Sequence, residues 1–258
     1  MRKTPMEKVI TLILGLVLPL LILIGMEVVA RFELTTSQLF VEPKVIFETL
    51  VDLIKGDELF INLGISTLRV FIGFVLGATA GLLFGIAMGI SRTFESYVGP
   101  IFNALRQVPV LAWIPLFLLW VGIGEGFNIS FIAVTAFFPM ALNTCEGVKG
   151  VSKSYMEVGA VLEFSRFKQL CTIIIPASLP AIFTGLRLVL SITWMAVVGA
   201  ELVVSGEGIG YMMYRARMQM WVDTVLVCIL AIGLTGYTMN ILLEQIEHYF
   251  LRWRKVEG

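Results

Sequence analysis

Apolar stretches about 20 residues long recur from one end of this chain to the other, and they limit its fold more than any other feature. A helix of that length covers the ~30 Å hydrocarbon layer of a bilayer. Only helices and closed barrels cross that layer, because every backbone N–H and C=O must find a partner away from water. Six stretches can be drawn, at about 9–30, 67–90, 98–121, 128–147, 180–204 and 223–245. One soluble core could not hide so much apolar surface: 58% of the residues are hydrophobic and 15% are charged, where a soluble domain carries about 25%. The expected fold class is an all-α integral membrane protein with about six transmembrane helices.

Several function classes are excluded early. Lys and Arg number 19 and so do Asp and Glu, so no charge surplus points to a nucleic-acid partner. Cys145, Cys171 and Cys228 form no CxxC pair, and the single histidine, His248, has no companion ligand at helical spacing. The sequence therefore predicts no metal site. No glycine-rich phosphate loop is present, so a nucleotide would have to be bound by another chain. The basic start MRKTPMEKV leads into the apolar run Val9 to Met26. That run is longer than the roughly 7–15 residues of a signal-peptide core. It reads as a retained first span, with cleavage after Val28-Val29-Ala30 as the other reading.

Orientation follows from the basic residues. With the N-terminus inside, the inner segments carry eleven Lys and Arg and the outer segments five, which places both termini in the cytoplasm. The outer segment includes EPKVIFETLVDLIKG, whose Val45, Ile46, Leu50, Val51, Leu53 and Ile54 suit a short amphipathic helix. It lies either on the outer membrane face or packed as an ordinary loop helix. The chain divides into a first span with this outer segment (1–65), a membrane core (66–250) and a short basic cytoplasmic tail (251–258).

Within the core, Gly73, Gly77, Gly81, Gly85 and Gly89 recur every four residues and line one face of the second span. Such a face lets another helix approach closely, within the chain or across a homodimer. Pro100, Pro109, Pro115 and Pro139 interrupt the third and fourth spans, and prolines in membranes are tolerated where neighbouring protein satisfies the freed carbonyls. Arg69, Arg106, Arg187, Glu125 and Glu201 lie in or beside spans, where a charge usually faces a cavity or a partner. Arg106 and Gln107 precede the Val108-Pro109 break, and Trp113 follows one turn later. These three are candidates for a translocation path, the alternative for Arg106 being a headgroup at the inner interface. Trp194 and Glu201 are further path candidates, although Trp194 also suits packing. Glu201 also suits hydrogen bonding at the turn containing Gly206, Gly208 and Gly210, which reads as a flexible outer connection.

Between the fourth and fifth spans lies SYMEVGAVLEFSRFKQLCTIIIPASLP, Ser154 to Pro180, on the cytoplasmic side. Read as one helix from about Ser154 to Leu170, it places Val158, Val161, Leu162, Phe164, Phe167 and Leu170 around much of its circumference. A cytoplasmic helix apolar on several sides needs cover on several sides, and the membrane domain supplies one. The segment reads as a docking element for a cytoplasmic partner, the plainer reading being a helix lying in the headgroups. Pro176 and Pro180 are expected to fix the turn into the next span.

The same segment resembles the coupling-loop motif of permease subunits of binding-protein-dependent ABC importers: E-A-A, three residues, G, nine residues, I, one residue, L-P. Glu157 stands for the first position, Val158 and Gly159 for the alanines and Glu163 for the glycine. Ile173 and Pro176 match, and Ile175 stands for the leucine. STLRVFIGFVLGATAGLLFGIAMG, RQVPVLAWIPLFLLWVGIGE and PASLPAIFTGLRLVLSITWMAVVGAEL resemble the nitrate, sulfonate and taurine branch of that family. The resemblance implies a non-catalytic subunit of the prokaryotic inner membrane. It would pair with a second copy, with two ATPase subunits that bind ATP and magnesium, and with an external substrate-binding protein. It assigns the ATPase contact to Glu157, Val158, Gly159, Val161, Leu162, Glu163, Phe164, Ser165 and Phe167. The implied cargo is a small oxyanion, or in some relatives a vitamin or pyrimidine precursor. A secondary transporter would show an internal repeat, and a membrane enzyme a convergent catalytic set; the sequence shows neither.

Overall fold

The computed structural model describes residues 41–252, together with positions 17 and 25. The expected first span and most of the basic tail lie outside the described residues. Among those described, the chain is helical and holds no strand. The helices are α1 (Pro43–Lys55), α2 (Glu58–Ile90), α3 (Arg92–Leu105), α4 (Ile114–Val121), α5 (Glu125–Lys149), α6 (Lys153–Val161), α7 (Arg166–Gln169), α8 (Ile175–Val204), α9 (Ile209–Met218) and α10 (Val222–Phe250). A 3₁₀ turn, Val110–Trp113, precedes α4, and a π turn, Leu170–Ile174, joins α7 to α8.

Four helical stretches are long and apolar enough to cross a membrane: α2, α5, the α7–α8 rod and α10. The expected third span, 98–121, is not a single helix. It is the pair Arg92–Leu105 and Val110–Val121, bent by 89° at a short break. The cause is Pro109, which offers no N–H and pushes Val108 out of the helical region. Described spans therefore number four, or five with the bent pair as one. The boundary drawn at 65/66 falls inside α2.

Helix α5 is the centre of the bundle. Phe127, Phe131, Ile132 and Met140 on it have no exposed surface. Its most extensive neighbour is α2, followed by α8. The α2–α5 contact runs along the glycine ladder: a methyl group on Gly73 would meet Ile132, on Gly77 Ala133 and Ala136, on Gly81 Phe137 and Met140, on Gly85 Ala141 and Thr144, and on Gly89 Val148. The ladder face is thus filled from within the chain. It is not open to a second copy, which removes the dimer contact expected of it. Near the end of α2 that leads into α3, Phe84, Phe94, Phe102, Phe137 and Phe138 form one aromatic cluster that holds α3 against α2 and α5. Outward-facing Leu68, Phe71, Leu76 and Leu83 on α2 remain exposed, as a lipid-facing surface would be.

Helix α1 uses its apolar face for packing. Ile46, Leu50 and Leu53 lie against a cluster containing Leu59, Ile209, Val227 and Cys228. Thr49 Oγ1 donates to Asp223 Oδ2 at 2.6 Å, tying α1 to the start of α10. The helix packs on one face, as the loop-helix reading expects, while Phe47 on its other side remains exposed.

Candidate functional site

Three places carry the residues with chemistry: a polar knot around Arg69, a cleft at the level of the middle of α5, and the segment between α5 and α8.

The knot is built on Arg69, three residues after Ser66 on α2 and so on the same helix face. Arg69 and Glu201 have side chains 5% and 0% exposed. Arg69 Nη1 donates to Glu201 Oε1 at 2.7 Å and to the Glu207 carbonyl at 2.8 Å. Its Nε donates to Glu125 Oε2 at 2.9 Å, and a second bond to Glu125 completes the fork. Ser66 Oγ donates to Glu201 at 2.8 Å and accepts from the Ile209 N–H at 2.9 Å. The Gly210 N–H donates to Glu201 Oε2 at 3.0 Å, and the Gly208 N–H to Asn62 Oδ1 at 2.9 Å. A buried charge persists when paired and fully hydrogen-bonded, and Glu201 is both. It is therefore a structural clamp joining α2, α5, α8 and the turn into α9, and not part of an open path. The Gly206–Gly210 connection is not flexible as expected. Gly208 is held at φ 104°, a conformation suited to glycine, by the bonds just described. Asn62 and Ser66 were missed from the sequence. Their three- and four-residue spacing toward Arg69 was the available signal.

Trp194 does not join the cleft at the level of the middle of α5 and lines a separate one of about 250 Å³ between α8 and α10. It is 5% exposed, and its indole N–H donates to the Ile232 carbonyl at 3.1 Å. It packs over Gly236 of α10, where a methyl group would meet the ring at 2.9 Å. Another interhelical ion pair, Arg187 with Glu247, joins α8 to α10.

The other three path candidates do come together. Arg106, Gln107 and Trp113 line a cleft of about 230 Å³ with Thr135, Phe138 and Pro139 of α5 and Ile192 of α8. Thr135 and Pro139 sit near the midpoint of α5, which places the cleft well inside the membrane. Pro139 supplies no N–H to the Thr135 carbonyl, so polar backbone faces this region too. Irregular backbone at such depth is tolerated where protein covers it or where it borders a wet cavity.

The segment between α5 and α8 is not one helix from 154 to 170. Helix α6 ends at Val161, and the chain turns through Glu163, whose φ is 49°. The Phe164 N–H donates to the Gly159 carbonyl and the Glu163 N–H to the Ala160 carbonyl, both at 3.0 Å. This bond pair is the Schellman helix end, which favours glycine at the position Glu163 holds. Ser165 then caps α7, its Oγ accepting from the Lys168 N–H at 3.3 Å. Helix α7, the π turn and α8 run on as one 39-residue rod, Arg166–Val204. The chain thus turns at 162–165 and not at the prolines. The wider π turn sits just ahead of Pro176, whose missing N–H frees the Thr172 carbonyl.

The surface this corner presents is apolar. Val158 is 55% exposed, Val161 83%, Leu162 57% and Phe167 75%, while Glu157 and Glu163 are exposed beside them. Gly159 faces inward, against Ile173 and Gln169. Gln169 Nε2 donates to the Met156 carbonyl at 3.1 Å, so α6 is fastened to the foot of the rod. Phe164 is half-buried, with the Lys168 ammonium 4.2 Å from its ring centre. Among the described residues, no group of His, Cys, Asp and Glu is arranged to hold a metal ion.

The chain is 39% identical over 253 residues to the aliphatic sulfonates transport permease protein SsuC of Bacillus subtilis, covering 98% of this chain and 92% of the relative. It is 35% identical over 188 residues to the bicarbonate transport system permease protein CmpB of Synechococcus elongatus, covering 72% and 68%. Its fold superposes on a chain of the inward-facing MetNI methionine ABC transporter with a TM-score of 0.59 at 18% identity, covering 72% of this chain and 91% of that one. Residues 73–255 match the family described as binding-protein-dependent transport system inner membrane component, and the chain belongs to that family.

Proposed function

We propose that this chain forms half of the pore of an ATP-driven importer for a small oxyanion. A second copy supplies the other half. Two cytoplasmic ATPase subunits bind ATP and magnesium beneath, and an external binding protein delivers the cargo from above. Both termini are cytoplasmic, and α6 with the Glu163 corner is the coupling element. The relatives named for sulfonates and bicarbonate support an oxyanion cargo. The observation that carries the coupling reading is the exposed apolar corner at the motif's spacing, with Val161 and Phe167 the most exposed of its apolar residues. An apolar cluster rimmed by charges marks a protein contact.

The mechanism follows from the rod. Motion of the ATPases against α6 is passed through Gly159–Ile173 and Gln169–Met156 to α7. The rod then carries it without a break past Ile192 at the cleft to Glu201 in the outer knot. A push at the cytoplasmic end therefore alters the cleft wall and the outer clamp together.

Co-purification of the ATPase with the permease tests this reading. A variant altered at Glu157→Lys, Phe164→Ala and Phe167→Ala together should insert and fold but release the ATPase. Losing one aromatic hot spot costs about 2 kcal/mol, or roughly 30-fold in affinity. Full retention of the ATPase with normal ATP-driven uptake would refute the assignment.

A further inference from the structure

Glu163 ends the turn after α6 in the left-handed conformation, with φ 49°, at a position where glycine is unstrained. Asp57 and Met220 are left-handed too. Aspartate enters that region more readily than most L-residues, and methionine brings no charge. Glu163 is thus, among the described residues, the long charged side chain held there. Nothing within the described chain offsets the strain. The carboxylate is exposed, and the side-chain bonds of this segment run from the Ser154 N–H to Ser152, from the Lys168 N–H to Ser165 and from Gln169 to Met156. The Lys168 ammonium lies over the Phe164 ring. Among the described residues no ion pair engages Glu163, although Lys153 and Arg166 belong to the same segment. Non-glycine residues kept in such a conformation cluster where function uses them. The carboxylate also stands beside the exposed Val161, Leu162 and Phe167. A surface that covers those three takes water from the carboxylate as well, and a desolvated carboxylate requires a cation.

We propose that Glu163 holds a lysine or arginine side chain of the ATPase subunit, so that a residue that strains the permease secures its partner. This contact presupposes the coupling reading above. It adds a charge pair at the position where the coupling motif has glycine. Once the apolar corner is covered, the pair lies in a medium of low dielectric, where it is stronger than at an open surface.

The strain gives the test an unusual signature, because permease stability and partner affinity should move in opposite directions. The labelled ATPase subunit is titrated, without nucleotide, into the permease in phosphatidylcholine nanodiscs. Glu163→Gly should raise the Tm of the isolated permease and weaken ATPase binding at least about tenfold, the loss of a charge-assisted hydrogen bond. Glu163→Gln keeps the side chain's shape and should weaken binding by a similar factor. Glu163→Lys should bind more weakly than Glu163→Gln, because two cations then meet. Glu163→Asp keeps the charge and should bind better than Glu163→Gln. Since Glu163→Gly relieves strain, weakened binding in that variant cannot be ascribed to misfolding. Full affinity in Glu163→Gly and Glu163→Gln would overturn the contact. Loss in Glu163→Gly but not in Glu163→Gln would also overturn it, by making the turn and not the carboxylate the determinant. Equal binding in Glu163→Lys and Glu163→Gln would overturn the cation, by making the partner a neutral donor. These variants leave Glu157, Phe164 and Phe167 in place. Full affinity here with release in the triple variant therefore removes the Glu163 contact alone, whereas retention in the triple variant removes the coupling reading and this contact with it.

Discussion

Substituting Gly81 by alanine isolates what the glycine ladder does. Gly81 lies at the centre of the ladder on α2, where the added methyl carbon would sit 2.6 Å from the Phe137 carbonyl oxygen, 2.8 Å from Met140 Cβ and 3.1 Å from the Ala141 nitrogen. Two of those three atoms are backbone, so no flexible side chain can swing away. To reach an ordinary contact near 3.4 Å, α2 and α5 must part by most of an ångström. A gap of 0.5–1 Å forfeits about a quarter to a half of each dispersion well along the seam. Overpacking of this kind costs about 1–3 kcal/mol. Gly233 on α10 is the internal control, because nothing lies within 4 Å of its would-be methyl group. There, helix propensity alone favours alanine by up to about 1 kcal/mol. Thermal unfolding of the purified permease in detergent measures both. At roughly 2–4 °C per kcal/mol for a chain of this size, Gly81→Ala should lower the Tm by about 2–12 °C. Gly233→Ala should leave it level or raise it slightly. The drop should be independent of protein concentration, since the seam lies within one chain. An unchanged Tm in Gly81→Ala, an equal fall in Gly233→Ala, or a drop that vanishes on dilution would refute the reasoning.

Two further outcomes follow from the corner and the knot. Glu163→Gly should raise the Tm by a few degrees, since an L-residue held in the left-handed region costs about 1 kcal/mol or more and the exposed Glu163 side chain has little packing to lose; a lowered Tm would show that the carboxylate contributes. Arg69→Ala should destabilise by about 3–5 kcal/mol because it strands buried Glu201, whereas Glu125→Gln, on a side chain 60% exposed, should cost less than about 1 kcal/mol. Denaturant titration of the two variants side by side checks this, and equal losses would show that the knot is not divided into a buried and an exposed half.

Some of this was legible in the chain because the signal is local. Twenty-residue apolar runs demand a membrane whatever their neighbours do, and a four-residue glycine period demands a close helix contact. The segment from Glu157 to Pro176 stood out as a docking element, although it was read as one helix and the corner at Glu163 came from the structure, and Val108-Pro109 marked a place where a helix must break or bend. Even the departure from glycine at Glu163 has a readable consequence: the turn is kept and the residue takes the left-handed conformation.

What the sequence determined is therefore the solvent, the helical class and the places where backbone must break or touch. Tertiary structure alone decided which surfaces meet. The ladder faces α5 of its own chain. Glu201 belongs to Arg69, 132 positions away. Trp194 belongs to Ile232, while Arg106, Gln107 and Trp113 share a cleft with the middle of α5. The physical reason is that periodicity and propensity are set within a few residues. The partner of a buried charge or a smooth helix face is set by how separate rods pack, and many packings satisfy the same local pattern until the whole bundle selects one.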